Sequence, residues 1–328
     1  MTRRALPAAL FATLAAALSL TACSGGDADP APGAAGSSTD AVTVQNCGRD
    51  VVFDSPPQRI VSGWPTSTEL LLELGLGDRL VGQYNTASSQ GDPLPQYAEA
   101  YAAVPVLSDA APTRETLLAA APDLIWADGS YLFDGQQLPT IDELAAQGTQ
   151  VLVLSGFCDD GGTSAVTDVD DDLDTLGAAL GVTDQTDALR DQVDGQLADI
   201  EASTADLAPV DAAVISTYEG TVYTYEGVYS DMLERAGGAN VLAGTLPEGT
   251  YFGELSAEQL LATDPSALVY LLSGDETPEA ARALLQQDFP SLSAVAADRL
   301  VFLPQIDSTN LRVVDGVQSL ADQLAQLR

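Results

Sequence analysis

Apolar residues recur at helical spacing along one long stretch near the middle of the chain, residues 183–207. The spacings of four, four and three place them on one face of a helix of about six turns. The residues concerned are Leu189, Val193, Leu197 and Ile200. Thr183 is the expected N-cap, and Pro209 is the expected stop. The pattern therefore predicts a single long helix.

The stretches on the two sides of this helix share one short motif. Residues 115–122 (ETLLAAAP) precede the helix and residues 258–265 (EQLLATDP) follow it. Each copy leads into a short apolar run that is typical of a buried strand. Similar halves on the two sides of one helix predict two lobes joined by a spine helix.

Apolar runs of strand length alternate with helical segments in both halves. The first half has a predicted hairpin (42–44 with 50–53), strands at 60–62, 80–83, 124–126 and 151–154, and helices at 68–74, 114–120, 141–147 and 164–180. The second half has predicted strands at 212–216, 221–225, 267–272 and 300–303, and helices at 231–236, 257–263, 278–287 and 311–327. Such alternation indicates parallel sheets covered by helices.

These patterns predict an α/β fold of two α/β lobes, with mainly parallel sheets, joined by the single spine helix. The expected boundaries are a signal segment at 1–22, a tether at 23–40, a first lobe at 41–182, the spine at 183–207 and a second lobe at 208–328. A chain of 328 residues is long enough for each lobe to bury a core of its own.

The N-terminal residues have the features of a secretion signal, with Arg3 and Arg4 followed by an apolar stretch. The stretch ends in Leu-Thr-Ala-Cys23, which resembles the bacterial lipobox, whose cysteine is lipidated and becomes the new N-terminus. An ordinary signal peptide is the alternative, and a run of fewer than about 18 apolar residues disfavours a membrane-spanning helix. Residues 24–40 are rich in Gly, Ser, Ala and Pro and predict a flexible tether of roughly 20 to 25 Å. We expect a secreted lipoprotein anchored at the outer face of the cytoplasmic membrane.

The charged residues exclude several kinds of chemistry. All 12 cationic side chains are arginines, against 48 Asp and Glu, and the formal net charge is -36. The chain contains no Lys and no His, which excludes Ser-His-Asp triads, lysine Schiff bases and imidazole metal sites. We do not expect nucleic acid as a partner, because the acidic charge repels phosphate backbones.

Four stretches carry a resemblance to a known family. They are residues 57–62 (PQRIVS) with 68–78, residues 115–125, residues 236–241 (AGGANV) and residues 256–265. In order and spacing they resemble the iron-siderophore and cobalamin class of periplasmic substrate-binding lipoproteins that serve ABC importers. The resemblance implies a ligand cleft between two lobes, little closure on binding, and delivery of the ligand to an ABC permease with its ATPase.

Glu115 and Glu258 occupy matching places in the two copies of the short motif. In the family the Glu of each lobe pairs with arginines on the permease, so the resemblance implies a docking role for both residues. The alternative is that a Glu in the first helical turn only favours the positive end of the helix dipole, which is worth about 0.3 to 1 kcal/mol.

Aromatic residues follow several of the predicted strands. Because ligands of parallel α/β lobes contact the loops at the carboxyl ends of the strands, these residues are candidate ligand contacts. They are Trp64, Tyr84 and Tyr131 in the first lobe, and Tyr218, Tyr251 and Phe252 in the second. As a set they would offer stacking surfaces and phenol hydroxyls to a bulky chelate, although ordinary packing explains each of them taken alone. Arg312 is a further candidate, for the anionic oxygens of a chelate, with a surface ion pair as the alternative.

Cys47 and Cys158 remain once Cys23 is lipidated. In an exported chain such a pair predicts a disulfide, with a free reactive thiol as the alternative. The acidic run at 168–174 lacks the Gly and the Glu that a calcium loop requires, and it predicts the solvated face of a helix. We expect no metal site and no cofactor other than the iron of a bound chelate.

The leading hypothesis is a monomeric, non-enzymatic binding lipoprotein that delivers an iron(III)-siderophore-type chelate to an importer. Binding of cobalamin or haem is the alternative within the same class, although a haem site without His would depend on Tyr or on packing alone. A surface hydrolase that uses two carboxylates is the alternative from a different class, but no acidic residue stands apart in a motif of its own.

Overall fold

The computed structural model describes residues 41–87, 92–158 and 164–328. The predicted signal segment and tether, and with them Cys23, lie outside the described residues. Thr39–Arg328 form one compact unit, and it holds both of the large sheets. None of the helices described is long and apolar enough to cross a membrane.

A hairpin and a five-stranded parallel sheet make up the strands of the first lobe. The hairpin is β1 (Val42–Asn46) and β2 (Arg49–Phe53), and the sheet consists of β3 (Ile60–Ser62), β4 (Leu80–Tyr84), β5 (Val106–Ser108), β6 (Leu124–Ala127) and β7 (Gln150–Val153). The helices of this lobe are α1 (Pro65–Glu73), α2 (Ala98–Ala103), α3 (Arg114–Ala119), α4 (Ile141–Ala145) and α5 (Asp168–Leu180). The strand order is β5-β4-β3-β6-β7, and the central strands β3 and β6 are buried along their whole length, as a sheet covered on both faces requires.

The hairpin protects the edge of this sheet. The side-chain amide of Asn46 exchanges two hydrogen bonds of 2.8 Å with the backbone of Val153 in the edge strand β7. Arg49 donates to the carbonyl of Val151 at 3.1 Å. These side chains satisfy backbone groups that an edge strand would otherwise leave unpaired.

A disulfide joins Cys47, in the hairpin turn, to Cys158, which follows β7. The prediction of a disulfide is therefore confirmed. The bond links positions 111 residues apart, so the hairpin is held to the sheet covalently as well as by hydrogen bonds.

The spine helix, α6, covers Thr183–Thr204 and is 22 residues long. Val193, Leu197 and Ile200 are buried in it as predicted, and Leu189 is partly buried against the same core. The predicted N-cap is wrong, because Val182 occupies that position without a side-chain cap and Thr183 is already helical.

The second lobe contains a six-stranded mixed sheet. Its strands are β8 (Val210–Tyr218), β9 (Thr221–Tyr225), β10 (Gly238–Asn240), β11 (Phe252–Leu255), β12 (Ala267–Leu272) and β13 (Leu300–Pro304). Its helices are α7 (Val228–Arg235), α8 (Ala257–Thr263), α9 (Pro278–Asp288), α10 (Ser293–Ala296) and α11 (Arg312–Ala325). The order is β11-β9-β8-β12-β13, with β10 beside β8. β9 runs antiparallel to both β8 and β11, and the other pairs are parallel.

Five short elements have no counterpart in the predictions: α2, β5, β10, β11 and α10. The first two contain no buried residue, so they lack the apolar pattern from which elements are predicted. β10 has the sequence Gly-Ala-Asn, three residues that are rare in strands. β11 is an edge strand with one buried residue, and α10 spans a single turn of four residues.

One continuous apolar core connects the two lobes through the spine. It includes Leu173 of α5, Leu197 of α6 and Leu320 of α11, which are 0%, 4% and 1% exposed. The spine packs against α5 on one side and against α7 and α11 on the other. Because closely packed interiors resist deformation, this core opposes large movements of one lobe against the other.

The acidic run 168–174 is helical, as predicted, but only partly solvated. It opens α5, and Asp171 is exposed. Asp172 is buried, and its Oδ1 accepts hydrogen bonds from the backbone and the hydroxyl of Ser155 at 2.9 and 2.8 Å. Burial raises the pKa of Asp172 to about 7, although the two bonds from Ser155 lower it.

Candidate ligand-binding site between the lobes

A cavity of about 450 Å³ lies between the two lobes. The first lobe contributes Trp64, Asp128, Gly129, Tyr131, Leu154, Phe157 and Ser164. The second lobe contributes Val228, Tyr229, Tyr251, Phe252, Gln305, Ser308 and Thr309. Aromatic rings with a few convergent polar groups are the usual lining of a small-molecule site of this size.

The first-lobe wall is formed where the strand order of the parallel sheet reverses. β3 and β6 are neighbours, but the chain proceeds from β3 to β4 and β5 before it returns to β6. Trp64 follows β3 and Asp128 follows β6, so both lie at the carboxyl ends of the strands that flank this switch point. Open α/β sheets bind their ligands in the crevice at such points.

The second-lobe wall is a group of stacked aromatic rings. The ring of Phe252 lies 5.0 Å from Tyr251 and 6.2 Å from Tyr225, centroid to centroid, and Tyr225 packs edge-on against Tyr229 at 5.2 Å. Phe157 of the first lobe meets Tyr251 edge-on at 6.1 Å. The aromatic wall is therefore continuous from one lobe to the other.

Asp128 and Tyr131 form a hydrogen-bonded pair on the first-lobe side of the cavity. The hydroxyl of Tyr131 donates to Oδ2 of Asp128 at 2.7 Å. Oδ1 of Asp128 is shielded from solvent and has no hydrogen-bond partner among the described residues. Burial raises the pKa of Asp128 to about 6, although the bond from Tyr131 lowers it.

Four of the six candidate aromatic residues line the cavity: Trp64, Tyr131, Tyr251 and Phe252. Tyr84 does not, because it lies in the core of the first lobe and is 1% exposed. Its hydroxyl packs closely against Gly63. A Cβ at residue 63 would lie 2.5 Å from this hydroxyl, so the close packing requires glycine there.

Tyr218 is also outside the cavity. β8 continues to this residue and turns directly into the antiparallel β9, so Tyr218 lies at a hairpin and not in a loop between a strand and a helix. Its side chain is 67% exposed. A strand that is followed by a crossover helix would have ended in a loop at the crevice, whereas β8 is followed by its antiparallel neighbour β9.

Arg312 does not reach the cavity. Its Nε and Nη2 donate to the two carboxylate oxygens of Glu69 at 2.7 and 2.6 Å, and both side chains are buried. Burial alone would lower the pKa of Arg312, but the carboxylate of Glu69 outweighs burial and raises it. Arg312 therefore forms a buried ion pair with Glu69. Both the predicted ligand contact and the alternative, a surface ion pair, are wrong.

The other arginines are engaged elsewhere as well. Of the 12 arginines, all except Arg3 and Arg4 lie in the described residues, and each of these ten has a partner outside the cavity lining. Six donate to backbone carbonyls: Arg49, Arg59, Arg79, Arg114, Arg299 and Arg328. Four pair with carboxylates: Arg190, Arg235, Arg282 and Arg312.

Comparison with known proteins agrees with this architecture. Residues 60–306 match a family model described as "Periplasmic binding protein". The chain belongs to the periplasmic binding protein family. Its members are solute-binding proteins, in agreement with the cavity between two lobes.

Solved structures show the same fold. A periplasmic binding protein from Veillonella parvula is 21% identical, with a TM-score of 0.77 over 87% of this chain and 98% of its own. An ABC-type Fe3+-hydroxamate transport system protein from Saccharomonospora viridis is 26% identical, with a TM-score of 0.70 over 86% of this chain and 98% of its own. The vitamin B12 binding protein of Vibrio cholerae is 19% identical, with a TM-score of 0.62 over 83% of this chain and 98% of its own. Compared with curated protein sequences, the chain has no significant match.

The two Glu residues of the repeated motif have the same local structure in this binding protein. Each is the second residue of a helix whose N-cap side chain accepts from the backbone N–H of the third helical residue, at 3.2 Å for Thr113 and 3.1 Å for Ser256. Both Glu115 and Glu258 are exposed. Each is followed three positions later by an exposed leucine, Leu118 or Leu261.

Among the cavity-lining residues of this binding protein that were not predicted, Phe157, Asp128 and Tyr229 contribute an aromatic ring or a charge. Phe157 follows β7 and Asp128 follows β6, so the rule that singles out the carboxyl ends of strands reaches both. Tyr229 stands in the first turn of α7, where its hydroxyl accepts a hydrogen bond from Ser308 at 3.1 Å, and no sequence signal marks it. Among the described residues no group of three or more Cys, Asp or Glu side chains is arranged to hold a metal ion.

Proposed function

We propose that this chain is the extracytoplasmic, lipid-anchored solute-binding protein of an ABC importer, that it binds an iron(III)-siderophore-type chelate in the interlobe cavity, and that it is not an enzyme. The observation that carries the proposal is the aromatic cavity of about 450 Å³ at the switch point of the first-lobe sheet. Support also comes from the similarity to an ABC-type Fe3+-hydroxamate transport protein at 26% identity.

The lining of the cavity suits iron that arrives already coordinated. Trp64, Tyr251 and Phe252 offer broad faces to the organic shell of a chelate. A bare ion would instead require several donor atoms converging at bonding distance. Asp128 is the one carboxylate in the described lining, and it already accepts a hydrogen bond from Tyr131.

Fluorescence titration tests the proposal. The chain has two tryptophans: Trp64 lines the cavity and Trp126 lies in the core at 1% exposure. We expect saturable quenching at submicromolar concentration by a ferric hydroxamate, and most of this quenching should be lost in Trp64→Phe. Saturable quenching by cobalamin or haem, without quenching by the ferric hydroxamate, would show that the cargo is not the proposed chelate. The absence of quenching by every probe, or chemical turnover of a bound probe, would contradict the binding function.

Delivery requires docking to the permease, and we assign this role to Glu115 and Glu258. The role is supported by their identical position in a capped helix, once in each lobe, with an exposed leucine three positions later. An arginine pair on the permease would complement the two carboxylates, and the leucines would add apolar contact area beside them.

Charge reversal with a matched control separates docking from the helix-dipole effect. Asp142 in α4 and Glu279 in α9 also occupy the second helical position behind a threonine N-cap, one in each lobe. We expect Glu115→Arg/Glu258→Arg to abolish uptake of a ferric chelate in cells while the purified variant keeps its affinity. Asp142→Arg/Glu279→Arg should leave uptake intact. Equal losses in both double variants would mean that the helix ends, and not docking, account for the effect.

Anchoring is assigned to Cys23. A Cys23→Ala variant should appear in the soluble extracellular or periplasmic fraction, whereas the unaltered chain should sediment with membranes. The purified variant should bind its ligand normally, because the lipid has no part in the cavity.

A further inference from the structure

The interlobe cavity has an unusual balance of charge. Asp128 is the one charged side chain among the described residues that line it. Neither Lys nor His occurs in the chain, and the arginines of the described residues are bound to partners outside the lining. Within the described lining, the cavity therefore presents a carboxylate to its ligand without a cation to balance it.

The carboxylate of Asp128 has one side-chain hydrogen-bond donor in the described structure, the hydroxyl of Tyr131. Oδ2 accepts from the Tyr131 hydroxyl at 2.7 Å, and Oδ1 is shielded from solvent without a partner in the described structure. A buried acceptor without a partner costs free energy. A ligand does not reach Oδ1 while that atom is shielded, but it meets the negative charge of a carboxylate in the cavity wall that has only this one side-chain donor among the described residues. A positively charged group gains most from that charge.

The aromatic surroundings favour the same kind of group. Tyr131 is 58% exposed and stands beside the carboxylate, and Trp64 and Tyr251 line the same cavity. Aromatic faces attract ammonium groups through their quadrupoles. A carboxylate among aromatic faces is thus suited to an ammonium group, whereas an anionic ligand would meet a desolvated like charge, which is strongly unfavourable.

We propose that the cavity selects its ligand by charge, that Asp128 is the specificity-determining residue, and that the preferred cargo is a chelate with a positively charged amine. The inference rests on the proposed function and narrows its ligand class. Hydroxamate groups carry one negative charge each, so a ferric trihydroxamate core is neutral and an added amine makes it cationic. Ferric catecholates and carboxylates are anionic and are rejected. The net charge of -36 attracts cationic chelates at longer range.

Three probes built on one ferric trihydroxamate core test the proposal. One carries a free terminal amine, the second carries the same amine acetylated, and the third carries it succinylated, so the terminal charge is positive, neutral or negative. The full-length mature protein should bind the amine form at least about tenfold more tightly than the acetylated form, and the succinylated form least tightly. In Asp128→Asn the ratio between the first two probes should fall below about threefold.

Asp54→Asn is the matched control, because it removes the same charge from an exposed position of the same lobe. It should keep the wild-type ratio, and Asp128→Glu should keep a preference for the amine. Equal or reversed binding of the three probes by the wild-type protein would overturn the charge selection while the binding function stands, whether or not Asp128→Asn folds. An unchanged ratio in a folded Asp128→Asn would overturn the role of Asp128. If none of the three probes binds, the proposed function fails and the inference fails with it.

Discussion

Arg312 and Glu69 form a two-point ion pair across the junction of the two lobes. Glu69 lies in α1 of the first lobe and Arg312 is the first residue of α11 in the second, and their side chains are 5% and 7% exposed. The guanidinium also donates to the carbonyl of Asp92 at 2.8 Å. Beside this pair, Asn310 donates to the hydroxyl of Thr66 at 2.8 Å. These contacts hold the lobes together on the side of α1 and α11.

Removing one partner of this pair should destabilise the protein strongly. Arg312→Met leaves the buried carboxylate of Glu69 without its cation, and we expect the free energy of unfolding to fall by about 3 to 5 kcal/mol. Glu69→Gln/Arg312→Met removes both charges and should recover at least half of this loss. Urea unfolding of the two variants and the wild type measures the difference. Equal stability of the single and double variants would show that the buried charge is not the cause.

The buried carboxylate of Asp172 should make stability depend on pH. Burial raises the pKa of Asp172 to about 7, above its value of about 3.9 in the unfolded chain. The unfolded state therefore releases the proton first as the pH rises, and the free energy of unfolding falls between about pH 4 and pH 7. Asp172→Asn can still accept the hydrogen bonds of Ser155 and should be more stable than the wild type at pH 8, by up to about 4 kcal/mol.

Unfolding at pH 4 and pH 8 provides the test. The greater stability of Asp172→Asn should largely disappear at pH 4, where the wild-type carboxyl is protonated in the folded state and about half protonated in the unfolded state. Asp171→Asn is the control, because Asp171 is the exposed neighbour on the same helix. A pH-independent difference between Asp172→Asn and the wild type would contradict the assignment.

The Cys47–Cys158 disulfide should contribute substantially to stability. It closes a loop between positions 111 residues apart, which corresponds to about 4 to 5 kcal/mol in the chain-entropy model. For a protein of this size the loss lowers the melting temperature by about 10 °C. Cys47→Ser/Cys158→Ser should melt at the temperature of the reduced wild type and should not respond to reductant. Identical melting of the oxidised wild type and the double variant would contradict the prediction.

Substitutions of Tyr251 and Tyr218 test whether the ligand binds in the cavity or elsewhere on the surface. Tyr251 lines the cavity and packs against Phe157 and Phe252, whereas Tyr218 is exposed at a hairpin. We expect Tyr251→Ala to weaken chelate binding at least about tenfold, and Tyr218→Ala to leave it unchanged. Calorimetric titration measures the affinity of both variants for the chelate. A larger loss of affinity in Tyr218→Ala than in Tyr251→Ala would contradict binding in the cavity.

Affinity for a cationic chelate should depend on the protonation of Asp128. Burial raises the pKa of Asp128 to about 6, and Tyr131 and Tyr84, whose own pKa values are raised by burial, are the titratable groups that interact with it in the described structure. Below pH 6 the carboxyl becomes neutral, so affinity for the amine probe should fall toward that for the acetylated probe, by about tenfold in all. Binding of the acetylated probe should stay flat over the same range, and parallel profiles for the two probes would contradict the assignment.

The sequence predicts those elements whose side chains are buried in a regular pattern. Ile60–Ser62 and Ala267–Leu272 are uninterrupted runs of buried residues, and their bounds are correct to the residue. The structure also has capping boxes at Thr140 and Ser256, where the sequence carries the typical patterns Thr-x-x-Glu and Ser-x-x-Gln. The antiparallel course of β9 could not be predicted, since apolar periodicity carries no information on strand direction.

The site is predicted less completely than the fold. The carboxyl end of a strand indicates which edge of the sheet a residue occupies, and this suffices for Trp64 and Tyr131. It does not indicate which way the last side chain points, and Tyr84, the final residue of β4, points into the core. Asp128 is one of 48 acidic residues, and only the structure distinguishes it, as the one charged side chain in the described cavity lining.

Retention of an iron chelate by the cavity tests the central proposal most directly. The mature protein, mixed with a radioiron-labelled ferric trihydroxamate that carries a free amine, is passed over a gel-filtration column beside Gln305→Trp, which fills the cavity with an indole. The wild type should elute with about one iron per chain and release the chelate unaltered, whereas Gln305→Trp should elute free of iron. Elution of the wild type without iron, or equal retention by a folded Gln305→Trp, would contradict binding in the interlobe cavity.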